Sequence, residues 1–581
     1  MKAFTEPLLS LAGFEEMTKT AEKSSGLISV TGCIDAQKSQ MIYAFGGHRK
    51  NKLIVTFGEQ KAKELYDEYS FFDKEVVYYP SKDVLFYQSD IRGNLLTAER
   101  IRALKAIREQ ERVTLVTTFD ALMNTMAPIE KMWENVLTLE QGQLLDLKEI
   151  QAALIRMGYE KEYQVQTMGQ FSVRGGILDV FPLTEENPIR IELWGDEIDT
   201  IRYFDCESQK SIENTDRVSI YPAAELVLSD EEKAVGIEKL KAEAKRVSDK
   251  LRKQMKTEEA HRVSEMADEL TEEWGELSMY AGMDAFLSYF FDERVGILDY
   301  FKPSDSLIFF DELTRCTEQG KLTETEFSES MKQRLAMGYI LPGQMNGLFT
   351  EKEIVAKLGK YSCIALGALD NKANGLHQLG SYGIHCQSVS PYNNSFELLI
   401  KDLKRYKKNG YRVILLSGSR TRAKRLSEDI TDQGITCFYT ENYDHELFEG
   451  QIMVCYGKVR RGFEYPILKF AVITESDIFG AQQKKKKRHR TYEGEKIQSF
   501  TDLSVGDYVV HENHGLGIYR GIEKLEVDKK VKDYIKIEYQ GGSNLYILAT
   551  QLDMIQKYAG KDARKPKLNK LNSIEWKNTK A

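Results

Sequence analysis

The stretch VTGCIDAQKSQ (30–40) comes within one residue of a phosphate-binding loop. Gly32, Lys38 and Ser39 hold three of the fixed places in G-x-x-x-x-G-K-[ST], but Gln37 stands where the second glycine belongs. In such a loop, backbone N–H groups at a helix N-terminus cradle phosphate while the lysine reaches the terminal phosphates. A side chain at the glycine place crowds that space and resists the backbone conformation. Asp311 and Glu312 end the apolar run SLIFFDE (306–312), a placement suited to magnesium and water activation. Apolar strands ending in acids are common, however. No intact G-K-[ST] occurs elsewhere, and no arginine-finger motif accompanies the loop. Gly32, Gln37, Lys38, Ser39, Asp311 and Glu312 therefore read as a degenerate nucleotide loop whose catalytic duty has lapsed, and no catalytic residue is assigned.

Other chemistry-bearing residues are sparser. The run KKKKRHR places Lys484, Lys485, Lys486, Lys487, Arg488 and Arg490 where they could track DNA phosphates, although a basic linker can equally be just solvated. His511 and His514 in HENH lack the further ligands zinc requires, so no metal is expected. SGSRTRAKR (417–425) resembles a helicase-lobe strand-to-helix turn and, without catalytic partners, reads as structural. The seven cysteines show no C-x-x-C pair, which argues for reduced thiols. With no signal-like segment and no apolar run long enough to span a membrane, a cytoplasmic location is expected. A net charge of −8 excludes a globally basic nucleic-acid coat but not local patches.

The elements that would position these residues alternate along the chain. KLIVTF (52–57), EVVYYP (75–80) and VTLVTT (113–118) are strands, and LLTAERIRALKAIREQ (95–110) is a helix between the last two, which predicts a doubly wound parallel sheet over 1–124. FSVRGGILDVFP and IRIELWGDEIDTIRYFD read as an antiparallel β module at 125–205, inserted in that domain. Charged helices at 230–285 lie in a segment, 206–350, that returns to a sheet through SLIFFDE. A second α/β domain spans 351–481, opening with SCIALGAL (362–369). A basic linker (482–497), a five-stranded β-barrel (498–560) and a tail (561–581) follow. The predicted fold class is thus multidomain α/β: a degenerate P-loop domain with an inserted antiparallel module, a helical segment, a second α/β domain and a small C-terminal barrel.

GQFSVRGGILDVFP, IRIELWGDEIDTIRYFDCESQKSI and GILDYFKPSDSLIFFDE together resemble the module shared by the excision-repair subunit UvrB and the bacterial transcription-repair coupling factors. VGDYVVHENHGLGIYRGIEKLEVDKKVKDYIKIEYQGGSNLYILATQL resembles the CarD-like, Tudor-type domain of the coupling factors, which UvrB lacks. The resemblance covers essentially the whole chain in order. It implies a RecA/UvrB-like first domain and a UvrA-binding surface at Lys161, Phe171 and Arg174, with Ser172 departing from the UvrB arginine. It also implies an RNA polymerase β-subunit surface at Lys524, Leu525 and Glu526 on an edge strand. Full-length relatives continue into an ATP-driven duplex-DNA translocase, so ATP and magnesium are expected only there. This chain reads as the recruitment half, reaching DNA upstream of the polymerase mainly through that motor. The alternative is a UvrB-like, ATP-dependent damage-binding helicase subunit, but FYQSDIRGNLLTAERI (86–101) is too short for UvrB's aromatic hairpin.

Overall fold

The computed structural model describes residues 1–46, 49–82, 94–206, 208–276, 283–369, 375–480, 494–496, 503–511, 515–527, 530–540, 543–548, 555–558 and 568. The basic run 484–490, His514 and residues 86–93 of the short hairpin region lie outside them. Among the described residues no helix is long and apolar enough to cross a membrane.

Short runs rich in Val, Ile, Leu and Phe, most of them buried on both faces, build a seven-stranded sheet with the exposed edge strand 378–383, in the order 378–383, 26–31, 362–366, 306–311, 51–56, 113–118 and 76–79. Every pairing in it is parallel. Burial on both faces explains why these strands read as continuous apolar runs rather than alternating ones. The expected opening of a second α/β domain, SCIALGAL, instead lies between Gly26–Thr31 and Ser306–Asp311 in this first sheet. A fully buried strand carries no local mark of which sheet it joins, so the boundary at 350 moves to about residue 385.

The inserted module is also displaced from 125–205. Met126, Ile129 and Met132 belong to the core of the first body. Leu137–Glu140 then pairs antiparallel with Arg217–Ile220, closing the module's stem. Between them lies a six-stranded sheet in the order 211–215, 197–204, 189–194, 177–180, 170–174 and 160–161. Helix Leu147–Arg156, capped by Asp146, lays Ile150 and Leu154 against Phe171, Leu178, Val180, Ile189 and Ile191. The charged helices Asp230–Lys253 and Thr257–Glu276 form a pair whose apolar stripe (Leu240, Ala244, Val263, Trp274) docks on the first body. Ser229 and Glu232 start the first of them with a capping box.

The second α/β body is a mixed six-stranded sheet in the order 387–388, 463–465, 470–474, 412–417, 452–456 and 438–439. The C-terminal strands form a six-stranded antiparallel sheet in the order 494–496, 555–558, 508–511, 515–527, 530–538 and 544–548. Its first strand, Gly494–Lys496, comes from the segment read as linker and pairs with Ile555–Tyr558. The described strands thus number six, against the five expected.

Candidate functional site

Strand Gly26–Thr31 delivers the chain to Gly32, whose φ of 77° is open to glycine and strained for other residues. A Cβ at Gly32 would stand 2.1 Å from the Ile384 carbonyl oxygen. Two of the loop's donors are spent on a neighbouring segment: Gly32 N–H donates to Ala368 O (3.2 Å) and Cys33 N–H to Gly367 O (3.0 Å). Helix Asp35–Phe45 then buries Gln37, Lys38, Ser39 and Gln40. The Lys38 ammonium is 1% exposed and is held by Asp311 (2.5 Å), Asp35 (3.0 Å) and Glu312 (3.1 Å). Burial works against its charge, but the three carboxylates outweigh burial and hold the ammonium above its ordinary value. Asp311 is fixed from its other oxygen by the Thr56 hydroxyl at 2.9 Å. Asp35, despite partial burial, is held down to about 2 by Lys61 and Lys38.

Gln37 is not an idle replacement in a vacated loop. Its Oε1 and that of Gln40 face the Tyr465 hydroxyl, at 3.4 and 3.2 Å, and Tyr465 comes from the second α/β body. Gln40 Nε2 donates to Phe4 O at 2.5 Å. The donor set does not fit a nucleotide with magnesium: the Gly32 and Cys33 N–H groups are already engaged, the lysine is neutralised by carboxylates, and Gln37 and Tyr465 fill the glycine's space. Sequence reasoning found these loop residues but missed Tyr465, because only the docking of the second body brings it there.

On the inserted module the three predicted residues separate. Phe171 is fully buried in the module core. Strand alternation turns it inward against the helix. Lys161 is exposed and donates to Gln151 Oε1 at 2.7 Å. Arg174 is about a third exposed and pairs with Asp179 at 2.8 Å, which Arg190 also grips with two hydrogen bonds. Ser172, on the same face, is buried and donates to Tyr163 O at 2.7 Å. Two aromatics missed by the sequence reading stand in the open: Tyr163, 83% exposed beside Lys161, and Trp194, 84% exposed at the 189–204 hairpin tip. The turn W-G-D, with Gly195 at φ 66°, was the available signal for Trp194.

In the C-terminal sheet, strand 515–527 pairs with 508–511 only through Gly515–Ile518. Beyond Ile522 it pairs only with 530–535, and Leu525 lies opposite Lys532. Lys524, Leu525 and Glu526 therefore lie on a two-stranded arm whose outer side pairs with no strand among the described residues. At its base Glu523 takes Lys536 at 2.6 Å and the Tyr546 hydroxyl at 3.0 Å. His511 is buried, and among the described residues no group of three or more metal-ligating side chains occurs.

Two family descriptions match the chain: the UvrB interaction domain over residues 137–226 and the CarD-like/TRCF RID domain over residues 503–559. The first coincides with the module as the stem strands bound it. The transcription-repair-coupling factor of Bacillus subtilis (strain 168) is 31% identical over 531 residues, 91% of this chain and 44% of that protein. Those of Staphylococcus haemolyticus (strain JCSC1435) and Staphylococcus aureus (strain USA300) are each 30% identical, over 95% and 98% of this chain and 47% and 48% of their own lengths. The chain spans less than half the length of these curated relatives. With matches to a UvrB interaction domain and a CarD-like/TRCF RID domain in one polypeptide, the chain is similar over nearly its whole length to the transcription-repair-coupling factors.

Proposed function

We propose that this chain is a recruitment platform that binds stalled RNA polymerase through its β subunit and the excision-repair protein UvrA, without nucleotide chemistry of its own. The observation that carries the reading is the pairing of two partner-binding domains in one chain, joined through α/β bodies whose phosphate loop is filled by Lys38–Asp311 and Gln37–Tyr465. The arm at 522–527 offers unpaired backbone groups for strand addition by the polymerase, with Leu525 as side-chain anchor and Lys524 and Glu526 setting charge register. On the module, Lys161 and the exposed part of Arg174 offer cations to an acidic partner face. The run Lys484–Arg490 adds a DNA-backbone contact, and ATP and magnesium belong to translocase domains outside this chain.

Reciprocal variants test the assignment. Leu525→Arg is expected to abolish binding of the isolated polymerase β subunit while leaving UvrA binding intact, and Arg174→Ala to do the converse. If both variants kept both partners, the assignment of faces would be wrong. Micromolar binding of a fluorescent ATP analogue, lost in Lys38→Ala, would instead restore the UvrB-like helicase reading.

A further inference from the structure

The inserted module carries an exposed aromatic that the recruitment reading does not use. Along strand Ile189–Trp194 the residues alternate: Ile189 and Ile191 enter the module core, while Arg190, Glu192 and Trp194 take the other face. Arg190 is engaged there by Asp179, and Glu192 by Arg202. Trp194 is 84% exposed. It lies directly opposite Glu197 across the Gly195–Asp196 turn, and Glu197 lies opposite Leu144, itself 75% exposed. Directly opposed residues of neighbouring strands put their side chains on one face, so Trp194, Glu197 and Leu144 form a single row.

Trp194 and Glu197 also line an open groove of about 670 Å³, together with Asp199 and, from the stem, Glu140, Asp216 and Arg217. The backbone holds its walls together. Gln141 N–H donates to Asp216 O at 2.9 Å, Gly142 N–H donates to Ile198 O at 2.8 Å, and the Gln141 side-chain amide donates to Asp199 O at 2.8 Å. Gly142, with φ at 83°, leaves room for Glu197: a Cβ there would stand 3.8 Å from Glu197 Oε1. Four carboxylates face the groove against one guanidinium, Arg217, which pairs with Glu140 at 3.1 Å. Among the described residues no cation lies within ion-pair distance of Glu197, Asp199 or Asp216, and Asp196 in the turn adds a further acid. The other cations of the strands that supply the groove, Arg190 and Arg202, are the two already held.

We propose that this groove receives an arginine-bearing segment of a partner protein, its guanidinium laid on the Trp194 indole and held by the carboxylates of Glu197, Asp199 and Asp216. Arginine's planar head both stacks on an aromatic face and forks onto carboxylates, whereas an ammonium acts as a point charge. Tryptophan and arginine are also the side chains enriched at the anchoring points of protein interfaces. An apolar partner would bury the three carboxylates without a cation, and a phosphate backbone would meet like charge. The inference goes beyond the recruitment reading, in which Lys161 and Arg174 offer cations to an acidic face; this groove takes the opposite charge.

The test uses the full chain and a fluorescein-labelled peptide, Gly-Arg-Gly-Arg-Gly blocked at both ends, followed by anisotropy at low salt. Matched peptides carry lysine or citrulline in place of arginine. The arginine peptide is expected to bind, the lysine peptide to bind more weakly, and the neutral citrulline peptide to stay free. Trp194→Ala removes no charge and no core contact, and is expected to weaken the arginine peptide about tenfold. Glu197→Gln with Asp199→Asn and Asp216→Asn is expected to abolish its binding. Glu265→Gln, Asp268→Asn and Glu269→Gln remove the same charge from exposed positions of helix Thr257–Glu276 and are expected to leave the affinity unchanged. Full affinity in Trp194→Ala would overturn the proposal. So would an equal loss in the helix variant, which would show attraction to the chain's general negative charge. A dimer in sedimentation that Trp194→Ala dissociates would also overturn it, by assigning the face to a second copy of the chain.

Discussion

Lys38 keeps its place in the motif but meets carboxylates rather than an open loop. Its three carboxylates satisfy the charge that a triphosphate would otherwise meet. Restoring the consensus with Gln37→Gly is therefore expected to leave a fluorescent ATP analogue unbound at micromolar concentrations in a direct titration. Lys38→Ala leaves Asp311 buried without its cation and is expected to cost about 3–5 kcal/mol in urea unfolding. Glu68 carries a separate pH signature. Burial pushes its carboxyl from 4.5 up to about 7, although Arg460 N–H donates to it at 3.2 Å. The folded state then holds a proton that the unfolded chain has released, so stability falls as pH rises from 4.5 to 7 and is level above. Glu68→Gln is expected to flatten that slope and to stabilise the protein at pH 8 by roughly 3 kcal/mol, read from denaturant midpoints across pH.

Single strands decide which predicted contacts face a partner. In Gln170–Arg174 the period of two sends Phe171 inward and Ser172 and Arg174 to the other face. Phe171→Ala is expected to destabilise the module by about 3–5 kcal/mol, while Arg174→Ala costs about 1 kcal/mol or less, because Arg190 still holds Asp179. Thermal unfolding of the two variants separates the core role from the surface role. The alternation was legible in the sequence, and an aromatic on a strand favours the core side; the packing of helix 147–156 fixes that side as the inner face. The arm at 522–527 shows the complementary case. Its strand character was legible in GIYRGIEKLEV, but its lack of a second neighbour depends on where strand 508–511 ends.

At the scale of the whole molecule, the two α/β bodies share one apolar cluster at their junction. Phe4, Met41 and Ile42 of the first body pack in the same apolar cluster as Ile414, Met453, Phe463, Tyr465 and Phe470 of the second. The N-terminal helix seals the junction, with Phe4 edge-on to Phe71 and Phe72 at 5.6 Å and Ala3 N–H on Tyr443 O at 3.0 Å. Tyr465→Ala opens this shared core and is expected to cost about 3–5 kcal/mol. Calorimetry is expected to show both bodies shifting together in one transition; two separated transitions would show that they unfold independently.

The sequence by itself determined the kinds of element, the near-match to a phosphate loop and the two modules that relate the chain to the coupling factors. These rest on local signals: hydrophobic period, turn glycines, and residue types at fixed spacing. Only the tertiary structure decided that strand 362–366 joins the first sheet, that Phe171 faces a core, and that Tyr465 fills the space beside Gln37. Each of those depends on which buried surface meets which across long sequence separations, and an apolar run specifies that it must be covered without specifying by what.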